Sequence, residues 1–268
     1  MTDLLAALLL GIIEGVTEFL PISSTGHLLI AQHWLGSRSD LFNISIQAGA
    51  ILAVVLIYRR RLWQLATGFM QPDNRDYLLK LIVAFGVTAV LGLTVKKLGF
   101  VLPHKVLPIA WALVLGGIWM LVAEHYAAKH AQTLGERTTI SWTVAILVGV
   151  AQVIAGVFPG TSRSAATIFV ALLAGTTSRA AATEFAFLVG IPTMFAATAY
   201  ELLGVIGTPA ATSENWTALA VAFAASAATA FVAVKWLLHY IQKHRFTVFA
   251  YYRFALGAAL LLLMPSGS

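Results

Sequence analysis

Two short segments of this chain carry side chains suited to chemistry, and each lies inside an apolar stretch. The first reads Glu14-Gly-Val-Thr-Glu18-Phe-Leu-Pro21-Ile-Ser23-Ser24-Thr25-Gly26-His27. Glu14 and Glu18 are four residues apart, so on a helix they share one face, a turn from each other. Adjacent carboxylates repel unless a positive partner or a shared proton stabilises them. A divalent cation suits such a pair, and oxygen ligands favour Mg²⁺ or Ca²⁺. Glu14 and Glu18 are therefore the expected metal ligands. The alternative is that one of them is protonated and hydrogen-bonded between helices. Ser23, Ser24 and Thr25 place hydroxyls where a proline turns the backbone, although such residues also serve as helix caps and packing residues in membranes. His27 follows Ser24 by three positions, within reach if the hydroxyl caps a helix whose first turn carries the imidazole. Beside hydroxyls and acids, a histidine is a candidate base or nucleophile.

The second segment reads Phe158-Pro159-Gly160-Thr161-Ser162-Arg163-Ser164-Ala165-Ala166-Thr167. The apolar run breaks at Pro-Gly and a new helix is expected from the Thr/Ser run. The free N–H groups of a helix start bind anions, and Arg163 adds a permanently charged fork matched to phosphate oxygens. Gly160, Thr161, Ser162, Ser164 and Thr167 join Ser23 and Thr25 as candidate substrate-binding positions. Arg163 also suits a partner for a buried glutamate, and both roles are compatible. Together these groups make an inventory for phosphoryl transfer, in which a cation and a guanidinium neutralise charge while a nucleophile is positioned in line. No Gly-rich nucleotide loop is present, since no Gly-Lys-Ser/Thr follows a glycine run. The phosphate is accordingly expected on a lipid.

The surrounding elements must place these groups inside a bilayer. Of the 268 residues, 59% are hydrophobic and 10% are charged, against about 25% charged in a soluble domain. Apolar runs near 20 residues, the length of a spanning helix, recur along the chain. The class is therefore all-α, a polytopic membrane protein, because short alternating barrel strands do not fit these runs. Six spanning helices are expected, at 41–58, 78–95, 106–124, 181–201, 217–238 and 247–264. The net charge of +6 sits in clusters such as Arg59-Arg60-Arg61 between apolar runs. That pattern belongs to a membrane surface and not to nucleic-acid binding. There is no cysteine, which excludes disulfides and thiolate-bound metals. No basic residue precedes Arg38, and Glu14 and Glu18 lie within the first apolar stretch, so no cleavable signal peptide is expected.

Regions 3–35 and 141–175 are apolar but broken at Pro21 and Pro159, leaving halves of about 15 residues, too short to cross. Each is expected to be a re-entrant helix hairpin. A shift of 138 positions places Gly11 on Gly149, Glu14 on Gln152, Pro21 on Pro159 and Ser24 on Ser162. The chain is thus expected to be one membrane domain over 1–268, with a first repeat at about 1–100 and a second at about 140–268. Proteins built this way bind near the midplane, where the breaks meet. If the first hairpin enters from outside, Arg59, Arg60, Arg61, Arg75, Lys129, Arg137, Lys235, Lys243 and Arg245 fall on the cytoplasmic side. Arg38, Lys96, Lys97 and Lys105 fall opposite, and nine against four follows the positive-inside rule. The second hairpin then enters from the cytoplasm, which inverts the two halves.

The segments Glu14–His27 and Pro159–Thr167 resemble the two signature motifs of bacterial undecaprenyl-pyrophosphate phosphatases, the bacitracin-resistance family. Length, span count and repeat arrangement agree over essentially the whole chain. The resemblance implies hydrolysis of undecaprenyl pyrophosphate to the monophosphate and inorganic phosphate, recycling the carrier for cell-wall polymers. It also implies a plasma-membrane location, an active site opening outward and dependence on Mg²⁺ or Ca²⁺. A homodimer is compatible with the apolar faces and with the resemblance. By position, Glu14 and Glu18 are similar to the family's acids, His27 to its histidine and Ser24 to its proposed nucleophilic serine. Ser162, Arg163 and Thr167 match the second motif, and Gln47 and Glu184 match further polar positions. Ala165 stands where relatives often carry Gly. Ser24 with His27 as base and His27 as nucleophile remain alternative chemistries. A transporter of the lipid phosphate is the rival function, since broken-helix repeats suit it equally.

Overall fold

The computed structural model describes residues 2–99, 106–206, 208 and 214–263. Among them helices are joined by turns and short loops, with no strand. In chain order the helices are α1 (Asp3–Thr17), α2 (Ser24–Leu35), α3 (Asp40–Ile57), α4 (Arg59–Thr67), α5 (Pro72–Lys97), α6 (Val106–Leu134), α7 (Trp142–Val157), α8 (Arg163–Leu173), α9 (Arg179–Val205), α10 (Trp216–Lys243) and α11 (Thr247–Leu263). Five of these, α3, α5, α6, α9 and α10, are long and apolar enough to cross a membrane. The chain is a multi-pass membrane protein.

Local chemistry sets many of the boundaries. Ser39, Ser141 and Asn215 cap α3, α7 and α10, their side chains accepting the amides of Phe42, Val144 and Ala218. Pro72 opens α5, where its missing N–H costs nothing. The two broken regions form the helix pairs α1/α2 and α7/α8, as their proline interruptions predict.

Hydropathy underestimates several helices. α5 begins at Pro72 and not at 78, and α6 runs on to Leu134 past the expected end at 124. The linker at 59–76 contains α4, with its three consecutive arginines. Apolar content marks depth in lipid, whereas a helix continues into polar sequence until a cap or breaker stops it. α9 even passes through Pro192. The sixth expected span, 247–264, is the 17-residue α11. Residue 264, Lys105 and much of the linker 202–216 lie outside the described residues.

The long helices pack against the short pairs. α1 lies against α10, and α7 against α5; α3 contacts both α10 and α9, and α9 contacts α5. α6 touches both α2 and α8 and packs along α11. Close approach needs small residues. A methyl added at Gly11 would collide with the Ala222 backbone of α10, and one at Gly149 would meet the Ala84 carbonyl of α5. Ser226 of α10 donates to the Ile46 carbonyl of α3 at 2.7 Å.

Each helix pair also closes on itself at its open end. Asp3, at the start of α1, pairs with Arg38 beyond α2 at 2.6 Å, and that guanidinium holds the Asp3 carboxyl below the usual carboxylate range. Before α7 and after α8, the Arg137 carbonyl accepts the amides of Thr177 and Ser178, both at 3.0 Å. Each pair therefore runs out to its break and returns to where it began.

Candidate active site

The two breaks meet. Ser164 of α8 donates to the Leu20 carbonyl in the first break at 3.1 Å, and the Arg163 guanidinium lies 3.9 Å from the Glu18 carboxylate. Arg163 also donates to the Gln47 side-chain carbonyl at 3.3 Å. Gln47 thus joins the site from α3, one residue after a backbone carbonyl that α10 holds.

The breaks share a backbone device. Ser23 and Ser162 have φ of 74° and 71°, the only described non-glycine residues in the left-handed region. Such conformations cost about 1–3 kcal/mol each and persist where surrounding structure enforces them. Both serines cap the following helix, Ser23 accepting the Gly26 amide and Ser162 the Ala165 amide, each at 3.3 Å. The amides nearest each cap have no acceptor within their own helix. Those of α8 start beside Arg163, a helix end of the kind that suits an anion.

Glu14 is fully buried, and neither of its carboxylate oxygens has a hydrogen-bond partner. Glu18 and Arg163 are its ionisable neighbours. Glu18, also buried, accepts a hydrogen bond from the Ser24 hydroxyl. A Ser24–His27 hydrogen bond is the expectation from their spacing, and the geometry is different. The His27 Nδ1 lies 2.7 Å from the Ser23 carbonyl and its Nε2 2.7 Å from the Tyr252 hydroxyl. A carbonyl only accepts, so Nδ1 carries the proton and, in the neutral ring, Nε2 accepts from Tyr252. The two rings stack with planes 8° apart. With the imidazole held against α11, the side chain in contact with the Ser24 hydroxyl is Glu18.

The other expected residues divide. The Thr167 hydroxyl donates to the Arg163 carbonyl at 2.8 Å, within its own helix, and Ser162 and Ser164 pair through their hydroxyls at 3.1 Å. Gly160 is buried with φ of 97°, Thr161 is half-buried beside it, and Thr25 is exposed. Glu18, Arg163, Ser164 and Thr167 border a cavity of about 20 Å³ against Phe187 and Gly190 of α9, room for about one water. Glu184 lies elsewhere. It accepts from Arg61 and Tyr77, both at 3.3 Å, on the wall of a separate cavity of about 980 Å³ that Lys80 and Asp76 also line.

Sequence reasoning missed Tyr252 and Arg253. Arg253 is fully buried in α11 and donates to backbone carbonyls of both breaks. The available signal was a lone arginine in an apolar run, the same signal that singles out Arg163.

The fold and site define a class: a multi-pass helical membrane protein with a buried cluster of two acids, a hydroxyl and a guanidinium, the groups that phosphoryl transfer uses. Residues 7–259 match the family described as bacitracin resistance protein BacA. Over all 268 residues, with both chains fully covered, this chain is 68% identical to the undecaprenyl-diphosphatase of Stenotrophomonas maltophilia strain R551-3. It is 64% identical to that of Xanthomonas euvesicatoria pv. vesicatoria strain 85-10 and 63% to that of Xanthomonas oryzae pv. oryzae strain PXO99A, again over full length. The chain belongs to the bacitracin resistance protein BacA family.

Proposed function

We propose that this chain hydrolyses undecaprenyl pyrophosphate to undecaprenyl phosphate and inorganic phosphate, recycling the lipid carrier for cell-wall synthesis and conferring bacitracin resistance. The observation that carries the reading is the Ser24 hydroxyl on the Glu18 carboxylate, with Arg163 of the opposite hairpin 3.9 Å from that carboxylate. The full-length likeness to undecaprenyl-diphosphatases supports the substrate class.

The geometry suggests an order of events. Arg163 and the first-turn amides of α8 bind the terminal phosphate, and Gln47 orients the guanidinium. Ser24 Oγ forms a bond to the terminal phosphorus as its proton passes to Glu18. The anhydride P–O bond breaks and the lipid monophosphate leaves. Glu18 passes that proton to the departing monophosphate and then takes one from a water whose oxygen bonds to the phosphorus; the serine P–O bond breaks, Ser24 Oγ takes its proton back from Glu18, and inorganic phosphate leaves.

A divalent cation fits beside this pathway. The Glu14 oxygens, which have no hydrogen-bond donor, lie next to Glu18 and offer hard oxygen ligands of the kind that Mg²⁺ or Ca²⁺ takes. Glu14 and Glu18 would hold it, and a bound cation would neutralise charge on the phosphate.

The membrane arrangement is part of the proposal. Reciprocal packing of α1 on α10 and α7 on α5, the paired Ser23 and Ser162 geometry and the closed hairpin ends support two inverted halves, at about 1–100 and 140–268. In this arrangement α11 is the sixth span and both broken pairs are re-entrant. In this reading the protein lies in the bacterial plasma (inner) membrane, and the positive-inside count supports a site opening to the outer, periplasmic side. The exposed apolar residues Trp111, Leu115 and Ile118 on α6 accept lipid or a second copy in a homodimer.

The test is phosphate release by purified protein in detergent from polyprenyl pyrophosphates of several chain lengths, with and without chelator. A transporter of the lipid phosphate releases none. The hydrolase reading requires release that chelator abolishes.

A further inference from the structure

Arg253 occupies an unusual position. Its side chain is fully buried, and all five of its N–H donors are used on backbone carbonyls. Nε donates to Leu113 at 3.2 Å and one Nη2 proton to Ala112 at 3.0 Å, both on α6. The other Nη2 proton goes to Gly160 at 2.9 Å, and Nη1 donates to Thr161 at 3.1 Å and Pro21 at 3.5 Å. None of the five acceptors is a carboxylate. A buried charge is expensive, and space alone would be filled more cheaply by Leu or Met. Gly116 of α6 leaves the room, because a methyl there would collide with the guanidinium.

The acceptors come from both breaks. Peptide planarity makes a fixed carbonyl fix the N–H on its other side. Holding the Thr161 carbonyl sets the direction in which Ser162 and Arg163 enter α8. Holding the Pro21 carbonyl sets the path into Ser23 and Ser24. We propose that Arg253 is a positioning residue, a single guanidinium that ties the Pro21 break to the Gly160–Thr161 break and so sets Ser24 against Arg163 for attack on the lipid pyrophosphate. The inference rests on the hydrolase reading for its kinetic consequence, and not for its structural one.

The experiment compares Arg253→Lys, Arg253→Met and Gly116→Ala with the parent, all purified in detergent. Lys has three donors on one atom and cannot span both breaks. Turnover of undecaprenyl pyrophosphate per folded molecule should fall roughly 30-fold or more in kcat with KM within about 3-fold, the pattern of lost positioning. Amide hydrogen exchange should accelerate about 10-fold or more at residues 22–24 and 161–164 and stay unchanged in α10. Gly116→Ala displaces the guanidinium while keeping it, and should reproduce both effects if the Arg253 variants do not fold. Turnover within about 3-fold of the parent, or a loss confined to KM, would overturn the proposal. So would exchange that is unchanged, or accelerated equally everywhere. If the parent itself releases no phosphate, the hydrolase reading fails, and the exchange pattern alone then decides whether Arg253 joins the breaks.

Discussion

Ser24 and Glu18 stand on opposite sides of the Pro21 break, and the serine hydroxyl crosses it to donate to the glutamate carboxylate. The contact joins the end of α1 to the start of α2 and sets the hydroxyl on a carboxylate six residues away. The imidazole three residues along the same helix faces Tyr252 instead.

Substitution separates these two candidate bases. Glu18→Gln should lower kcat by roughly 10²–10⁴, the usual contribution of general acid–base catalysis, while His27→Gln should cost no more than about 10-fold. Ser24→Ala should remove turnover to about the Glu18→Gln level or below. Phosphate release under saturating lipid measures all three. A larger loss at His27 than at Glu18 would reverse the assignment.

Much of this site was legible in the sequence, because intramembrane acids and arginines are costly and prolines interrupt apolar helices visibly. Glu14, Glu18 and Arg163 stand out for that reason, and so do both breaks. The partner of Ser24 did not, since residue spacing gives reach along one helix but not across a turn. Ser23, at φ of 74°, redirects the chain in a way no serine advertises. α4 hid among the arginines of a linker because helix and hydropathy are separate properties. Arg253 carried the same signal as Arg163 but lacked neighbouring polar residues to draw attention to it.

The orphaned oxygens of Glu14 lead to a cation prediction. Chelator should abolish turnover and added Mg²⁺ or Ca²⁺ should restore it. Glu14→Gln should raise the cation concentration for half-activation roughly 10–100-fold, since a ligand charge is lost. A metal titration of parent and variant checks this, and identical titration curves would remove Glu14 from the ligand set.

Arg163→Lys keeps the charge and loses the planar guanidinium, whose Nη2 donates to Gln47 and lies beside Glu18. A fall of about 10² or more in kcat/KM is expected, comparable to losing an oxyanion donor. Steady-state kinetics with the lipid pyrophosphate measure it.

Reciprocal packing predicts a stability contrast between two glycines. Gly11→Ala drives a methyl into the Ala222 backbone and should destabilise the folded protein by about 1–3 kcal/mol. At Gly86, inside α5, an added methyl meets nothing, so Gly86→Ala should leave thermal unfolding in detergent unchanged or raise it slightly, as alanine favours a helix. Equal shifts at the two positions would argue against the α1–α10 contact.

The most direct test follows the phosphorus. Purified protein is mixed with undecaprenyl pyrophosphate labelled in its terminal phosphate, quenched within the first turnover, and the labelled residue is identified. The account predicts an acid-stable phosphoserine at Ser24, which accumulates when the following hydrolysis is slowed. An acid-labile phosphoramidate on His27 would contradict it.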